Sequence, residues 1–252
     1  MTLPLLFRMF FRSFFIQTVY NYQSLLSIGF CFSISVILNS VYKDDESKKK
    51  FLLRHLNFFN AHPYFASFAI GAIANIEYNR KNDKAGDPGV VERFKNALIG
   101  PLGAIGDQLF WVTIRPSCIF LALAGITIFT SLNLKIYLLL FVLILYNIPH
   151  FYIRFYGIWK GYQLGFNIYK SLNLDRYRII INIYLFLGAI SIGIFMGHTM
   201  IAIGREKLSY LIVFIFSIAI TYFYRKYKQS FYGIIIISLV LSLVLGVILE
   251  KL

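Results

Sequence analysis

Two short apolar runs near the middle of the chain constrain its fold most strongly. Residues 63–76 and 97–111 form runs of about 15 residues each, whereas a helix needs about 20 residues to cross the core of a bilayer. Polar and helix-breaking residues open the first run and interrupt the second: Asn60, His62 and Pro63, then Gly100, Pro101, Gly103, Gly106 and Asp107. Broken helices at membrane depth survive only inside protein or beside a wet cavity. The sequence therefore predicts two re-entrant half-helices.

The composition predicts a membrane protein. The 252 residues are 58% hydrophobic and only 14% charged, with a mean hydropathy of +0.68, which is unlike a soluble domain. Lys and Arg number 25 against 11 Asp and Glu, but the basic residues lie in short clusters between apolar runs. This is the positive-inside pattern of a membrane protein and is not the basic face of a nucleic-acid binder.

The remaining apolar runs predict several membrane spans. They cover residues 117–132, 136–153, 179–203, 209–224 and 231–249. The first two form a predicted hairpin joined by residues 133–135, and a tight turn is expected at 204–208. Basic clusters at 154–178 and 225–228 predict the cytoplasmic side, so we expect the N-terminus inside and the C-terminus outside.

The N-terminal segment predicts one amphipathic helix over residues 7–39. Ser13, Gln17, Asn21 and Ser24 recur at spacings of four, four and three, which places them on one stripe. Two interpretations remain open: a helix in the membrane interface with Arg8 on the headgroups, or an arm that packs on a partner subunit. We divide the chain into this arm (1–42), a cytoplasmic connector with the half-helix hairpin (43–116), and transmembrane helices (117–252).

A polar and glycine-rich face is predicted on the helix over residues 146–165. Its members fall three or four residues apart: Asn147, His150, Arg154, Gly157, Gly161 and Gly165. Glycines at this spacing let a second helix approach closely, so we favour packing over ligand contact for them. Pro149 is expected to weaken or kink this helix.

Motifs for other chemistries are absent from the sequence. Cys31 and Cys118 have no CxxC spacing, and the four histidines have no nearby cysteine or paired carboxylates. The glycines of 100–106 do not match the dinucleotide fingerprint, and there is no P-loop. We therefore expect neither a metal nor a cofactor.

Four blocks carry a family resemblance: RSFFIQTVYNYQ, FFNAHPYFASFAIG, GPLGAIGDQLFWVTIRP and YNIPHFYIRFYGIWKGYQLG. In this order, between Arg12 and Gly165, they resemble the IID membrane component of mannose-type phosphotransferase systems. The resemblance implies an all-α, multi-pass subunit in the bacterial inner membrane. It would act with a IIC subunit inside a larger oligomer, surrounded by lipid, to translocate a hexose or related sugar. IIA and IIB units would carry the phosphoryl group, so the chain itself is not expected to be an enzyme.

The chain also departs from this family pattern. Glu77 is followed by Tyr78 where a glutamate pair is typical, Val112 stands where a glycine usually follows Phe-Trp, and the link at 204–208 is short. A degenerate IID that only docks or regulates its partners is therefore the alternative. A membrane enzyme that uses His62, Asp107 and Arg115 has less support, because no acid and base are paired.

Polar residues of the two half-helices are the predicted sugar contacts: Asn60, His62, Glu77, Asp107, Gln108, Trp111 and Arg115. Their amide, carboxylate and imidazole groups can bind hydroxyls, and an indole can lie against an apolar sugar face. Ionisable groups at membrane depth are functional candidates because their burial is costly. The alternatives are that Asp107 pairs with Arg115, that His62 caps a helix, or that the IIC subunit supplies the contacts.

Overall fold

The described part of the chain is helical. A computed structural model describes residues 2–80, 89–206 and 215, in which the only β pairings are isolated bridges of Leu25 with Asn21 and with Phe59. This confirms the predicted all-α class. The expected spans at 209–224 and 231–249, the cluster at 225–228 and the C-terminus lie outside the described residues.

The N-terminal arm contains several short helices. These are α1 (Leu3–Ser13), a 3-10 helix (Phe14–Gln17), α2 (Ser27–Ile34), a second 3-10 helix (Ser35–Ile37) and α3 (Leu38–Val41). The predicted single helix over 7–39 is therefore wrong. Leu25 adopts a left-handed φ of 54°, and the Asn21 side chain accepts hydrogen bonds from the backbone N–H groups of Gln23 and Ser24. Asn21 and Ser24 thus build a turn between α1 and α2.

Helix α1 is amphipathic and packs on its own chain. Leu6 and Met9 are buried, while Phe7, Phe11 and Phe15 are exposed on the other side. α1 contacts α2 and also a later helix, α8 (Leu132–Leu164).

The first predicted half-helix is a short helix enclosed by protein. Asp44 caps the N-terminus of α4 (Asp45–Leu56), because its carboxylate accepts from the Ser47 N–H at 2.7 Å. α5 (Ala66–Arg80) follows, and every residue from 65 to 74 is buried. Such enclosure is what a helix too short to span a bilayer requires. Its re-entrant path remains a prediction.

The second predicted half-helix is instead the middle of one helical stretch of 39 residues, Val90–Ile128. The stretch consists of α6 (Val90–Gly106), a π-helical segment (Asp107–Ile114) and α7 (Arg115–Ile128). Pro101 and the glycines do not interrupt it. Proline has no backbone N–H to donate, yet α6 continues past Pro101 to Gly106. The departure from α geometry starts only at Asp107, where the wider π turn begins. The predicted domain boundary at 116/117 falls inside α7.

The predicted hairpin of α7 and α8 is present, but its turn is at residues 129–131. Residues 133–135, expected as the link, belong to α8. Arg154 was predicted both on the helix face over 146–165 and in the basic cytoplasmic cluster at 154–178. It lies in α8, as the helix face predicted, and it is buried there. The connector after α8 consists of two 3-10 helices, Gly165–Ser171 and Leu174–Tyr177, before α9 (Arg178–Glu206).

Among the residues that the structure describes, three stretches are long and apolar enough to cross a membrane: Val90–Ile128, Leu132–Ser171 and Leu174–Thr199. The predicted multi-span character is therefore confirmed. The tight turn expected at 204–208 is not at Gly204, since α9 continues to Glu206; Lys207 and Leu208 lie outside the described residues.

The glycine face of α8 packs on α5, as predicted. A Cβ on Gly161 would lie 2.4 Å from the Phe68 carbonyl oxygen and 2.8 Å from the Ala72 nitrogen. On α5, a Cβ on Gly71 would lie 2.1 Å from the Ile158 carbonyl oxygen. The two backbones therefore touch where only glycine fits.

Candidate functional site

A polar cavity of about 240 Å³ lies where the arm, the segment before α5 and the π-helical segment meet. It is lined by Gln17, Tyr20, Leu26, Asn60, Ala61, His62, Pro63, Ile99, Gly103, Asp107 and Trp111. Four of the seven predicted sugar contacts therefore line one cavity: Asn60, His62, Asp107 and Trp111.

The His62 ring is fixed in the cavity wall with one nitrogen unused. Its Nδ1 accepts a hydrogen bond from the Tyr64 backbone N–H at 3.3 Å, so in the neutral ring the proton is on Nε2. The side chain is 2% exposed, and Nε2 has no hydrogen-bond partner in the described part of the chain. A buried donor without a partner costs about 1–3 kcal/mol. The local bond of Nδ1 fits the helix-start alternative, but it leaves Nε2 available.

Aromatic packing holds this ring in place. His62 stacks on Phe110, with ring centroids 5.2 Å apart and planes 19° apart, and contacts Trp111 at 5.1 Å. Gly106 makes room for it, because a Cβ there would lie 2.2 Å from the His62 Cβ. The π-helical segment and the residues before α5 are thus fitted to each other through this imidazole.

The cavity presents complementary polar groups. Asp107 offers a carboxylate that only accepts when ionised, and Asn60 offers an amide that donates and accepts. His62 lines the cavity, but its Nε2–H is itself enclosed by protein. Trp111 supplies an aromatic face. Asp107 makes no ion pair with Arg115 within residues 2–80 and 89–206, and in that same part no three metal-ligating side chains cluster. The arrangement suits a small, uncharged, polyhydroxylated molecule.

Sequence reasoning missed two residues of this cavity, Gln17 and Tyr20, because it assigned them to a continuous helix. The arm turn brings them there: the Leu26 N–H donates to the Phe59 carbonyl at 2.9 Å, one residue before Asn60. The available signal was Asn21 three residues before Ser24, a pattern typical of side-chain-stabilised turns.

Glu77 lies elsewhere, in a buried polar cluster between α4 and α5. Its carboxylate is 0% exposed and accepts from Arg54 at 2.9 and 3.0 Å, from Tyr42 at 2.7 Å, and pairs with His55 Nε2 at 3.0 Å. Burial alone would raise the pKa of Glu77, but the His55 hydrogen bond and the Arg54 charge outweigh it and lower the pKa to about 2. Burial lowers the pKa of His55, so a neutral imidazole donates to an ionised carboxylate.

Gln108 and Arg115 also lie apart from the cavity. The Gln108 backbone carbonyl accepts from the Thr113 hydroxyl at 2.8 Å inside the π-helical segment. The Arg115 guanidinium lies 5.0 Å from the Trp111 ring and faces a different groove.

A buried arginine supports the cavity wall from behind. Arg154 donates to the Ser13 backbone carbonyl and, at 2.7 Å, to His150 Nε2. Its guanidinium lies between the rings of Phe14 and Tyr64, 4.9 and 5.0 Å away. The arm, α8 and Tyr64, whose backbone N–H donates to the His62 ring, therefore meet at the Arg154 side chain.

Comparison with known proteins identifies the family to which the chain belongs. The family model described as the PTS system mannose/fructose/sorbose family IID component matches residues 2–249. The chain belongs to this IID family. It is 37% identical over 165 residues to the mannose-specific EIID component of Escherichia coli K12, covering 65% of this chain and 56% of that protein. It is 31% identical over 171 residues to the fructose permease IID component of Bacillus subtilis, covering 68% of this chain and 60% of that protein.

Solved structures show the same fold. One chain of a cryo-EM structure of the mannose transporter ManYZ in complex with microcin E492 superposes with a TM-score of 0.59 at 32% identity, covering 77% of this IID chain and 69% of its counterpart. A structure described as a membrane protein gives a TM-score of 0.64 at 30% identity, covering 76% and 69%. The IID chain thus spans little more than half the length of the curated relatives it matches.

Proposed function

We propose that this IID chain pairs with a IIC subunit and moves a hexose or related sugar across the bacterial inner membrane, coupled to phosphorylation by IIA and IIB units. Family membership and the likeness to a chain of a mannose transporter structure support the pairing. The description of the matching family as a PTS component supports the proposed coupling.

The cavity at His62 is the proposed place where this subunit contacts the sugar. The observation that carries this assignment is the buried Nε2–H of His62 in the cavity wall, which is held by packing and has no hydrogen-bond partner among the residues that the structure describes. In the proposed complex it donates to a sugar hydroxyl, Asp107 accepts from another, and Trp111 lies against the C–H face of the ring. Gln17 and Tyr20 close the cavity on the side of the arm.

Tryptophan emission offers a direct test, because the chain has only two tryptophans. Trp159→Phe leaves Trp111 as the sole tryptophan of this subunit, and tryptophans of the IIC subunit are replaced likewise. Adding mannose or fructose to the reconstituted complex should shift the Trp111 emission saturably. Asp107→Asn and His62→Phe should weaken binding at least tenfold, whereas Asp175→Asn on the exposed connector should not. Normal binding and uptake by both cavity variants in assembled complexes would refute the assignment.

The subunit alone should neither transport nor phosphorylate sugar. His62 and His55 are buried and His150 is bonded to Arg154, which leaves these imidazoles poorly placed to attack a phosphocarrier. Incubating the purified subunit with the soluble relay and labelled phosphoryl donor tests this directly. Stoichiometric labelling of the IID chain would overturn it.

A regulatory IID that docks without transporting is the second candidate. It is favoured by the departures from the family pattern, Tyr78 after Glu77 and Val112 after Phe-Trp. Uptake by the complex of this chain with IIC, compared with IIC alone, separates the two candidates.

We further propose that the N-terminus and the connector at 165–177 face the cytoplasm and that the turn at 129–131 and the C-terminus face outward. Lys170, Arg176 and Arg178 cluster at the connector end of α8, whereas the turn carries no charge. Ser131→Cys and Lys170→Cys, each in a cysteine-free background, should react oppositely with an impermeant thiol reagent in intact cells. Outside labelling of position 170 alone would reverse the proposed topology.

A further inference from the structure

A second groove, of about 500 Å³, runs between α7 and α8 and shares only Trp111 with the sugar cavity. Its lining is apolar apart from one cation and one phenol: Trp111, Arg115, Cys118, Ile119, Ala122, Val142, Leu143 and Tyr146. The Tyr146 hydroxyl is already hydrogen-bonded to that of Tyr64 at 2.8 Å. Arg115 is therefore the charged group that distinguishes this groove.

Arg115 has no acidic partner in the part of the chain that the structure describes. Its guanidinium carbon lies over the face of Trp111, 5.0 Å from the ring centroid. A guanidinium stays charged at any physiological pH, and an arginine beside hydrocarbon is costly unless it reaches the interface or meets an anion.

The hairpin geometry places this cation near a membrane interface. At about 1.5 Å per helical residue, Arg115 lies about 21 Å from the turn at 129–131, and Tyr146 on α8 lies about 22 Å from it. The hydrocarbon core is about 30 Å thick. With the turn at one interface, Arg115 lies in the part of the core that is nearer the other interface. Its guanidinium leans onto Trp111, which lies further from the turn, so the charge points toward that other interface. Trp and Tyr favour that depth.

We propose that this groove binds an anionic phospholipid, with a phosphate oxygen on Arg115 and an acyl chain along the α7–α8 floor. Guanidinium and phosphate form strong charge-assisted hydrogen bonds. The long apolar floor beyond the cation suits a hydrocarbon chain, whereas a single carboxylate from a partner subunit would leave it bare. Of the proposed sugar contacts, this site shares only Trp111.

The test again uses Trp111 as sole tryptophan in the complex with IIC. The complex is reconstituted in phosphatidylcholine vesicles containing some phosphatidylglycerol, with brominated chains on either the anionic or the neutral lipid. Bromine quenches a tryptophan that it touches. Per brominated lipid, quenching should be several-fold stronger from the anionic lipid. Arg115→Gln should remove this preference and Arg115→Lys should retain most of it.

Lys135→Gln is the matched control, because Lys135 is a cation near the opposite, turn end of the same hairpin. It should leave the anionic preference unchanged. Equal quenching by both lipids in the parent protein, or an undiminished preference in Arg115→Gln, would overturn the proposal. Absence of quenching by either lipid would show that a partner subunit covers the groove, which would overturn it as well.

Discussion

The Glu77 carboxylate on α5 receives two hydrogen bonds from the Arg54 guanidinium on α4, at 2.9 and 3.0 Å, while itself being fully buried. This pair joins the charged connector to the enclosed short helix. Removing one partner of a buried pair leaves the other charge without compensation, which is costlier than losing a surface ion pair.

Glu77→Gln should therefore destabilise the protein strongly. Arg54 would keep its charge beside a neutral amide, and we expect a loss of about 3 kcal/mol or more in the free energy of unfolding. The thermal midpoint of the purified protein in detergent measures this. Asp175→Asn is the control, since its pair with Arg178 at 2.6 Å is exposed to solvent. A similar midpoint for both variants would contradict the prediction.

The same pair predicts a dependence on pH. The pKa of Glu77 is lowered from 4.5 to about 2 in the folded protein, so its stabilising contribution is complete above about pH 4.5 and is lost as the pH falls toward 2. Protonated Glu77 resembles glutamine. The gap in midpoint between the native protein and Glu77→Gln should therefore narrow from pH 6 to pH 3, and a constant gap would argue against an ionised Glu77.

For the glycine face of α8 and for Arg154, the sequence predicted where the residues lie better than what they contact. The spacing of Gly157 and Gly161 predicted a closely packed helix face, because small residues at this spacing let another helix approach in a bilayer. The spacing could not identify α5 as that helix. Arg154 shares that face, and the signal for its burial was available. It was also counted in the basic cluster at 154–178, and a charge cluster predicts exposure where the helix periodicity predicts packing.

The irregular backbone was less predictable. Asn21 and Ser24 fit a helical stripe and a side-chain-stabilised turn equally well, and only contact with Phe59 decides between them. Asp107 marks the start of the π-helical segment, where the sequence predicted a break, and this segment starts directly after Gly106, which packs against His62. The local sequence pattern thus left the backbone conformation open at both places, and contacts with residues distant in sequence decide it.

Gly161→Ala should disturb the packing of α5 on α8. The new Cβ would meet backbone atoms of Phe68 and Ala72 at 2.4 and 2.8 Å, and backbone cannot move aside as a side chain tip can. Overpacking of this kind costs about 1–3 kcal/mol. Gly100→Ala in α6 is the control, since nothing lies within 4 Å of its added Cβ. The thermal midpoint should fall for the first variant only.

Gly106→Ala should affect sugar binding more than folding, on the proposed function. Its Cβ would lie 2.2 Å from the His62 Cβ and 2.4 Å from the ring Cγ. It would displace the ring from its stacked position on Phe110, and the Nε2 donor would move with the ring. Affinity for sugar in the assembled complex should fall at least tenfold, read from uptake or Trp111 emission. Unchanged affinity would mean that the position of His62 does not matter for binding.

Arg154→Met should release the arm from α8. It removes the donors to the Ser13 carbonyl and to His150, together with the cation between the Phe14 and Tyr64 rings. Hydrogen bonds to a charged group contribute about 1.5–3 kcal/mol, so local opening should become roughly tenfold or more favourable. Hydrogen–deuterium exchange should quicken in peptides covering residues 3–17 and 60–65. Arg154→Lys should fall between, because one ammonium cannot donate in the same fork, and Lys160→Met, on the exposed side of the same helix, should leave exchange unchanged. Faster exchange confined to α8 itself would show that Arg154 does not hold the arm.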